Sequence, residues 1–185
     1  MVKRGASIVA VLLTGLCYTP TNAHVVSAAG RDFAYTSTSG GRVTRVWDGD
    51  TVVITPPWGR SFTCRLYGID APETPGKGVP GQPHGAAAAA KLRKLVLGRD
   101  VAVKLTGERS YKRQIGIIML DGVDVNQEMV RRGYAWAYVR YLRRPYVSDY
   151  LGAEQKARQA RRGLWRDRNP MPPWEFRRML RKWRR

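Results

Sequence analysis

Four short pieces of the chain carry side chains that could share one reaction: Asp48-Gly49-Asp50-Thr51, Arg65, Asp70-Ala71-Pro72-Glu73 and Arg113. The carboxylates of Asp50, Asp70 and Glu73 offer hard oxygen donors, which suit a hard divalent cation and a water molecule. Arginine keeps its proton and presents parallel donors that match phosphate oxygens, so Arg65 and Arg113 could clamp a phosphate beside that cation. Hydrolysis of a phosphodiester needs these parts: an activated water, neutralised charge on the phosphoryl oxygens, and a stabilised leaving oxygen. The rest of the chain is built to attract a polyanion. Lys and Arg number 33 against 14 Asp and Glu, for a formal net charge of +19. A charge of this size speaks of partners such as nucleic acid, anionic membrane surfaces or acidic polymers, and not of fold.

Each piece also has an ordinary reading. Asp-Gly-Asp is a common hairpin turn. A lone arginine pairs with a surface carboxylate more often than it meets a substrate, and Glu73 in isolation would be a solvated loop residue. The set gains weight from the elements that must position it. Val43, Val46, Val52, Ile54, Phe62, Cys64, Leu66 and Ile69 fall in short β-type runs, punctuated by Asp48-Gly49-Asp50 and by Pro56-Pro57-Trp58-Gly59. A three-stranded meander starting near Gly41 follows. It brings Asp50, at a strand start, towards Asp70, at the end of the third strand, with Arg65 five residues before it.

Beyond the site, Pro75 to Gly85 reads as a Gly/Pro-rich loop and Ala86 to Leu97 as a helix that opens on five alanines and stops at Gly98. Val101, Val103 and Leu105 alternate as a strand, and Ile115 to Met119 form another that ends at Asp121-Gly122. Asp124 with Gln127 suggests a capping box for a short helix, and Ser148 a cap for a helix running through Arg162. Five strands with interleaved helices make a mainly β, α+β architecture, a small barrel with helices packed on it. Pro170, Pro172 and Pro173 break helix, Trp165 and Trp174 can dock back on the domain, and Arg177 to Arg185 is a basic tail.

The amino terminus reads as a secretory signal peptide. Lys3 and Arg4 precede an apolar run from Ala6 to Cys17, and small residues suited to cleavage follow at Ala23 and Ala28. The expected organisation is a signal over 1–28 (cleaved after 23 or 28), a polar linker over 29–40, a catalytic domain over 41–166, and a Pro/Trp segment with the basic tail over 167–185. Such a chain is exported to the periplasm or the medium, and touches a membrane only through an uncleaved signal. Removing Lys3 and Arg4 lowers the charge from +19 to +17. Cys17 leaves with the signal, so Cys64 stands alone as a small core residue, and His24 and His84 lack zinc spacing.

Asp48-Gly49-Asp50-Thr51, followed by Arg65-Leu66-Tyr67-Gly68-Ile69-Asp70-Ala71-Pro72-Glu73-Thr74, resembles the signature of the staphylococcal (micrococcal) nuclease family. The likeness continues through Tyr111-Lys112-Arg113, Asp121-Gly122, Val125-Asn126, Arg132-Gly133 and Gly163-Leu164-Trp165, roughly over residues 42–166. Pro172 to Arg177 is similar to the ending of bacterial secreted members. The resemblance implies a five-stranded oligonucleotide-binding (OB) type barrel with about three helices. It also implies a Ca2+-dependent endonuclease on DNA and RNA that leaves 3′-phosphate and 5′-hydroxyl ends. It assigns Asp50, Asp70 and the Ala71 carbonyl to the metal, Glu73 to the attacking water, and Arg65 and Arg113 to the phosphate. Asp48 and Thr51 support the metal ligands, and Tyr111, Tyr138 and Tyr141 contact the nucleotide.

One motif departs from the family pattern. Where the family commonly reads Asp-x-Tyr-Gly-Arg, this chain reads Arg109-Ser110-Tyr111-Lys112-Arg113, which leaves Arg109 as an alternative. Counting back from Asp121-Gly122 favours Arg113. A catalytically inactive nucleic-acid-binding module on the same barrel is the competing function, and membrane binding through the basic tail a weaker third. Retention of Asp50, Asp70, Glu73 and Arg65 favours the enzyme, acting as a monomer with no obligate protein partner.

Overall fold

A computed structural model of the chain describes residues 37–76, 78 and 80–183. The signal segment, with Cys17 and His24, lies outside the described residues. Strands β1 (Ser37–Asp48), β2 (Thr51–Thr55) and β3 (Phe62–Leu66) form the expected meander, and β5 (Asp100–Ser110) and β6 (Arg113–Leu120) complete the sheet, with β7 (Val123–Asp124) on its edge. The order is β3-β2-β1-β5-β6-β7, and a parallel pairing of β3 with β6 closes the five long strands into a barrel. Closure needs β1 to serve two neighbours. Ser37–Arg42 pair with β5 and Arg42–Asp48 pair with β2. The crossover falls at Gly40-Gly41, where a Cβ on Gly41 would sit 2.4 Å from the Thr55 carbonyl oxygen, so only glycine admits the bend. Ser37–Gly40, expected in a linker, are therefore strand residues, because barrel closure extends β1 upstream of its apolar run.

The barrel interior is filled by the alternating residues the sequence singled out. Val43, Val52, Ile54, Cys64, Val103 and Ile117 have no exposed surface. Helix α1 (Gly85–Val96) covers one side with Ala88, Leu92 and Val96, spaced four apart on one face and fully buried. Burying a leucine side chain of this kind stabilises by about 2 kcal/mol.

Helix α2 (Val125–Arg131) opens as expected: the Asp124 carboxylate accepts the Gln127 N–H at 3.0 Å, and its other oxygen accepts the Tyr150 hydroxyl at 2.9 Å. Buried Asn126 ties α2 to the barrel. It accepts the Ile118 N–H at 3.1 Å and donates to the Tyr67 and Gly116 carbonyls at 3.0 and 3.1 Å.

Helix α3 (Tyr146–Gln159) starts two residues before Ser148 and ends before Arg162. Ser148 is no N-cap; its hydroxyl donates to the Pro145 carbonyl at 3.1 Å from within the first turn. On α3, Glu154 accepts the Ala137 N–H at 2.7 Å and so holds β8 (Trp136–Ala137). That strand pairs with β4 (Ile69–Asp70), a separate two-residue strand and not the end of β3. After a 3-10 turn at Gly163–Arg166, the supposed basic tail forms a fourth helix, α4 (Pro173–Trp183). Prolines 172 and 173 stop the preceding chain but suit a helix's first turn, where a backbone donor would be unpaired in any case. Among the described residues no helix is long and apolar enough to cross a membrane.

Candidate active site

The turn between β1 and β2 is built by its own acid. Asp48 accepts the Asp50 N–H at 3.0 Å, an Asx turn that aims Asp50 inward. Asp50 accepts the Thr51 hydroxyl at 3.0 Å through one oxygen and the Ala71 N–H at 2.8 Å through the other. This second bond joins the two sequence motifs directly. Close packing allows it: a Cβ on Gly49 would lie 2.6 Å from the Ala71 methyl and 2.7 Å from that of Ala88. Asp70 follows on β4, held by β8, and both Asp50 and Asp70 are almost wholly buried.

Two buried carboxylates need cations. Arg65, on β3, supplies one. Its Nη1 pairs with Asp50, and its Nη2 donates to Asp70 at 2.7 Å and to the Ile69 carbonyl at 3.4 Å. One planar guanidinium thus bridges the two acids that the sequence placed on neighbouring strands. Burial pushes the Asp48 carboxyl above its ordinary range, while the charges of Arg65 and Arg113 pull it down. Arg113 therefore stands within electrostatic reach of this corner. It opens β6 beside β3 and is held by Ser110, donating to its carbonyl at 3.3 Å and its hydroxyl at 3.0 Å. Arg109 is exposed further along β5. The lost turn glycine is accommodated by Tyr111, which takes φ of 58° in the two-residue turn joining β5 to β6.

The second cation is one that sequence reasoning missed. Arg177, on α4, donates to both Asp70 oxygens at 2.7 and 3.1 Å and to Glu73 at 2.5 Å. Burial works against its charge, but these carboxylates outweigh that and hold the guanidinium above its ordinary value. Gln82 was missed as well. Its buried side-chain oxygen accepts the Glu73 N–H at 3.3 Å, its backbone N–H donates to the Glu73 carbonyl at 2.9 Å, and its side-chain amide nitrogen donates to the Met171 carbonyl. Gly85 lets α1 approach here, since a Cβ would fall 2.0 Å from the Glu73 carbonyl oxygen. The only sequence signal for Gln82 is a polar side chain amid glycines and prolines. His84 is half-buried and pairs with Asp167 at 2.8 Å. Both contacts dock the segment leading to α4 beside the site.

The three tyrosines fare differently. Tyr111 is almost fully exposed at the hairpin tip. Tyr138 and Tyr141 meet edge to face with centroids 5.0 Å apart. Tyr138 is stacked by Trp174 of α4 at 5.2 Å and an interplanar angle of 4°. Cys64 is the core residue expected; burial pushes its thiol up to about 12, far from reactive.

Among the described residues no three His, Cys, Asp or Glu side chains form a ready-made metal nest. The donor set nonetheless suits a hard cation. Asp50 and Asp70 each turn an oxygen to the Arg65 guanidinium, and the Arg177 guanidinium already stands in as a cation between Asp70 and Glu73.

The model of the family described as staphylococcal nuclease homologue matches residues 63–167. An uncharacterized endonuclease of Escherichia coli O157:H7 is 38% identical over 138 residues, which cover 74% of this chain and 84% of that protein. An uncharacterized endonuclease of Haemophilus influenzae is 34% identical over 137 residues, 74% of this chain and 72% of that protein. An uncharacterized 38.1 kDa protein of Capnoides sempervirens is 40% identical over 118 residues; the match takes in 64% of this chain and only 32% of the longer plant protein. With its barrel, its paired acidic motifs and these relatives, the chain belongs to the staphylococcal nuclease family.

Proposed function

We propose that the chain is an exported, Ca2+-dependent endonuclease that hydrolyses phosphodiester bonds of DNA and RNA, giving 3′-phosphate and 5′-hydroxyl ends. The observation that carries this reading is the bridging of buried Asp50 and Asp70 by Arg65, with Glu73 and Arg113 at the same corner of the barrel. Family membership and the endonuclease names of the bacterial relatives support it. Asp50, Asp70 and the Ala71 carbonyl would hold Ca2+, which when bound neutralises phosphoryl charge and supplies an ordered water.

The protein's own groups do the rest. Arg65 is fixed by Asp50, Asp70 and the Ile69 carbonyl, so its free donors meet a phosphate without reorganisation. Arg113 closes on the same phosphate from β6. Glu73, its backbone pinned on both sides by Gln82, takes the proton of the attacking water. Arg177 must leave Glu73 first. Tyr111, Tyr138 and Tyr141 contact the flanking nucleotide. The amino-terminal signal directs export and is cleaved after residue 23 or 28, and the monomer is the active form.

A second reading, a nucleic-acid-binding module that does not cut, is favoured by one observation: Arg177 already neutralises Asp70 and Glu73. Plasmid cleavage in Ca2+ and in chelator separates the two. Ca2+-dependent nicking with 3′-phosphate ends is expected. Folded protein that binds plasmid yet leaves it intact in Ca2+ would establish the second reading.

A further inference from the structure

The C-terminal helix forms one wall of a groove that runs from the catalytic corner. The groove has a volume of about 580 Å³ and is bounded by Tyr138 and Arg140 on one side and by Trp174, Arg177, Arg178 and Arg181 of α4 on the other. No carboxylate lines it. Arg178 and Arg181 are exposed and have no ion-pair partner among the described residues. A second basic hollow differs in this respect. Two of its arginines, Arg131 and Arg132, close on Glu128, and Arg162 donates to the Arg131 carbonyl.

Arg140, Arg178 and Arg181 face this groove with no ion-pair partner among the described residues, beside an Arg177 already paired with Asp70 and Glu73, and an anionic occupant relieves the repulsion among them. Trp174, Arg177 or Arg178, and Arg181 recur every three to four residues, so they share one helix face. Arg177 and Arg181 lie about 6 Å apart along the helix axis. A row of cations rising from an aromatic floor, the Trp174–Tyr138 stack, matches a nucleic-acid single strand: phosphates on the arginines and a base on the ring. Continuity with the active site fixes which strand. Arg177 touches Asp70 and Glu73 at one end and lines the groove at the other.

We propose that α4 and Tyr138–Arg140 form a binding subsite for the single-stranded stretch of substrate flanking the scissile phosphate. Arg178, Arg181 and Arg140 contact successive phosphates there, and the Trp174–Tyr138 stack takes a base. The proposal rests on the nuclease reading and extends it to a surface built by the C-terminal helix. Entry of the strand gives Arg177 a phosphate in place of Asp70 and Glu73.

The test compares the full chain with its Arg178→Ala/Arg181→Ala variant. Both side chains are exposed and alanine favours helix, so the fold is retained. Binding of a single-stranded oligothymidylate is measured in chelator across a salt series, and cleavage of that strand and of a dinucleotide is measured in Ca2+. Loss of two phosphate contacts lowers the salt slope by about 1.4, at about 0.7 per contact for single strands. Affinity falls on the order of tenfold, as expected for two exposed charge contacts. Dinucleotide cleavage stays unchanged, because a dinucleotide is too short to reach Arg178 and Arg181.

An unchanged slope and affinity in the variant would overturn the subsite. Equal loss of dinucleotide and long-strand cleavage would overturn it too, since the arginines would then act at the catalytic corner. An abasic strand of the same length should bind at least about fivefold more weakly than oligothymidylate; equal binding would remove the aromatic floor from the proposal. If the parent chain cuts neither substrate, the nuclease reading fails, and the binding series in chelator still decides the subsite.

Discussion

Replacing Arg177 by alanine should tighten Ca2+ binding. The guanidinium makes three charge-assisted hydrogen bonds, at 2.7 and 3.1 Å to Asp70 and 2.5 Å to Glu73. A hydrogen bond to a charged group contributes about 1.5–3 kcal/mol. About a third of the Arg177 side chain is open to solvent, which screens the pairing, so the set is worth roughly 2–3 kcal/mol in total and not the sum. A cation at Asp70 must displace that pairing, and the apparent affinity of the intact chain is reduced by the same free energy. Removing the competitor therefore raises Ca2+ affinity by roughly 30- to 150-fold. Without Ca2+ the variant loses stability, because buried Asp70 keeps only Arg65 as its partner. Calorimetric titration with Ca2+ in the absence of nucleic acid reads the first effect, and urea unfolding in chelator the second. Unchanged or weaker Ca2+ affinity in Arg177→Ala would show that the arginine does not stand where the cation goes.

Asn126→Ala should destabilise the fold by about 2 kcal/mol or more in urea unfolding, because the buried Ile118 N–H and Tyr67 carbonyl lose their bonds to it while the Gly116 carbonyl keeps only the Tyr67 N–H; a loss under 1 kcal/mol would mean that the network relaxes around the gap. Cys64 predicts an alkaline signature. Its thiol lies at about 12 in the fold against an ordinary 9.0, so the folded state holds the proton more tightly. That stability is complete below pH 9 and is lost as pH rises towards 12, at about 1.4 kcal/mol per unit. The stability advantage of the parent over Cys64→Ala should shrink across this window, and a constant difference would contradict the buried thiol.

Local pattern made the barrel strands legible. Val52, Ile54, Cys64 and Leu66 alternate inward as their order suggests, and Asp124 caps α2 because an Asx side chain before a helix has a local partner in the Gln127 N–H. The carboxylates and Arg65 were legible for a different reason: two motifs with fixed spacing meet at one corner of the barrel, where Asp50 accepts the Ala71 N–H. What escaped were the contacts that only tertiary packing creates. β4 and β8 are two residues each, too short for any periodicity, yet they hold Asp70. Gln82 takes its meaning from Glu73 and Met171, and Met171 lies 89 residues away. The arginine-rich end resembled a solvated tail because composition says nothing of direction. Only after Pro172-Pro173 starts α4 and Trp174 stacks on Tyr138 does Arg177 point at the acids. The same contacts caution against Arg65→Ala as a probe of catalysis, since it would leave Asp50 and Asp70 buried with one fewer cation.

Glu73 offers the cleaner probe. Its side chain is about a third exposed, and glutamine preserves its size and an acceptor oxygen for Arg177 while removing the base. Single-turnover cleavage of an oligonucleotide by parent and Glu73→Gln chains, in saturating Ca2+, tests the assignment of this acidic corner to phosphodiester hydrolysis. The account predicts a rate lower by on the order of 10²–10³ with oligonucleotide affinity unchanged. A Glu73→Gln chain that cleaves at the parental rate would contradict it.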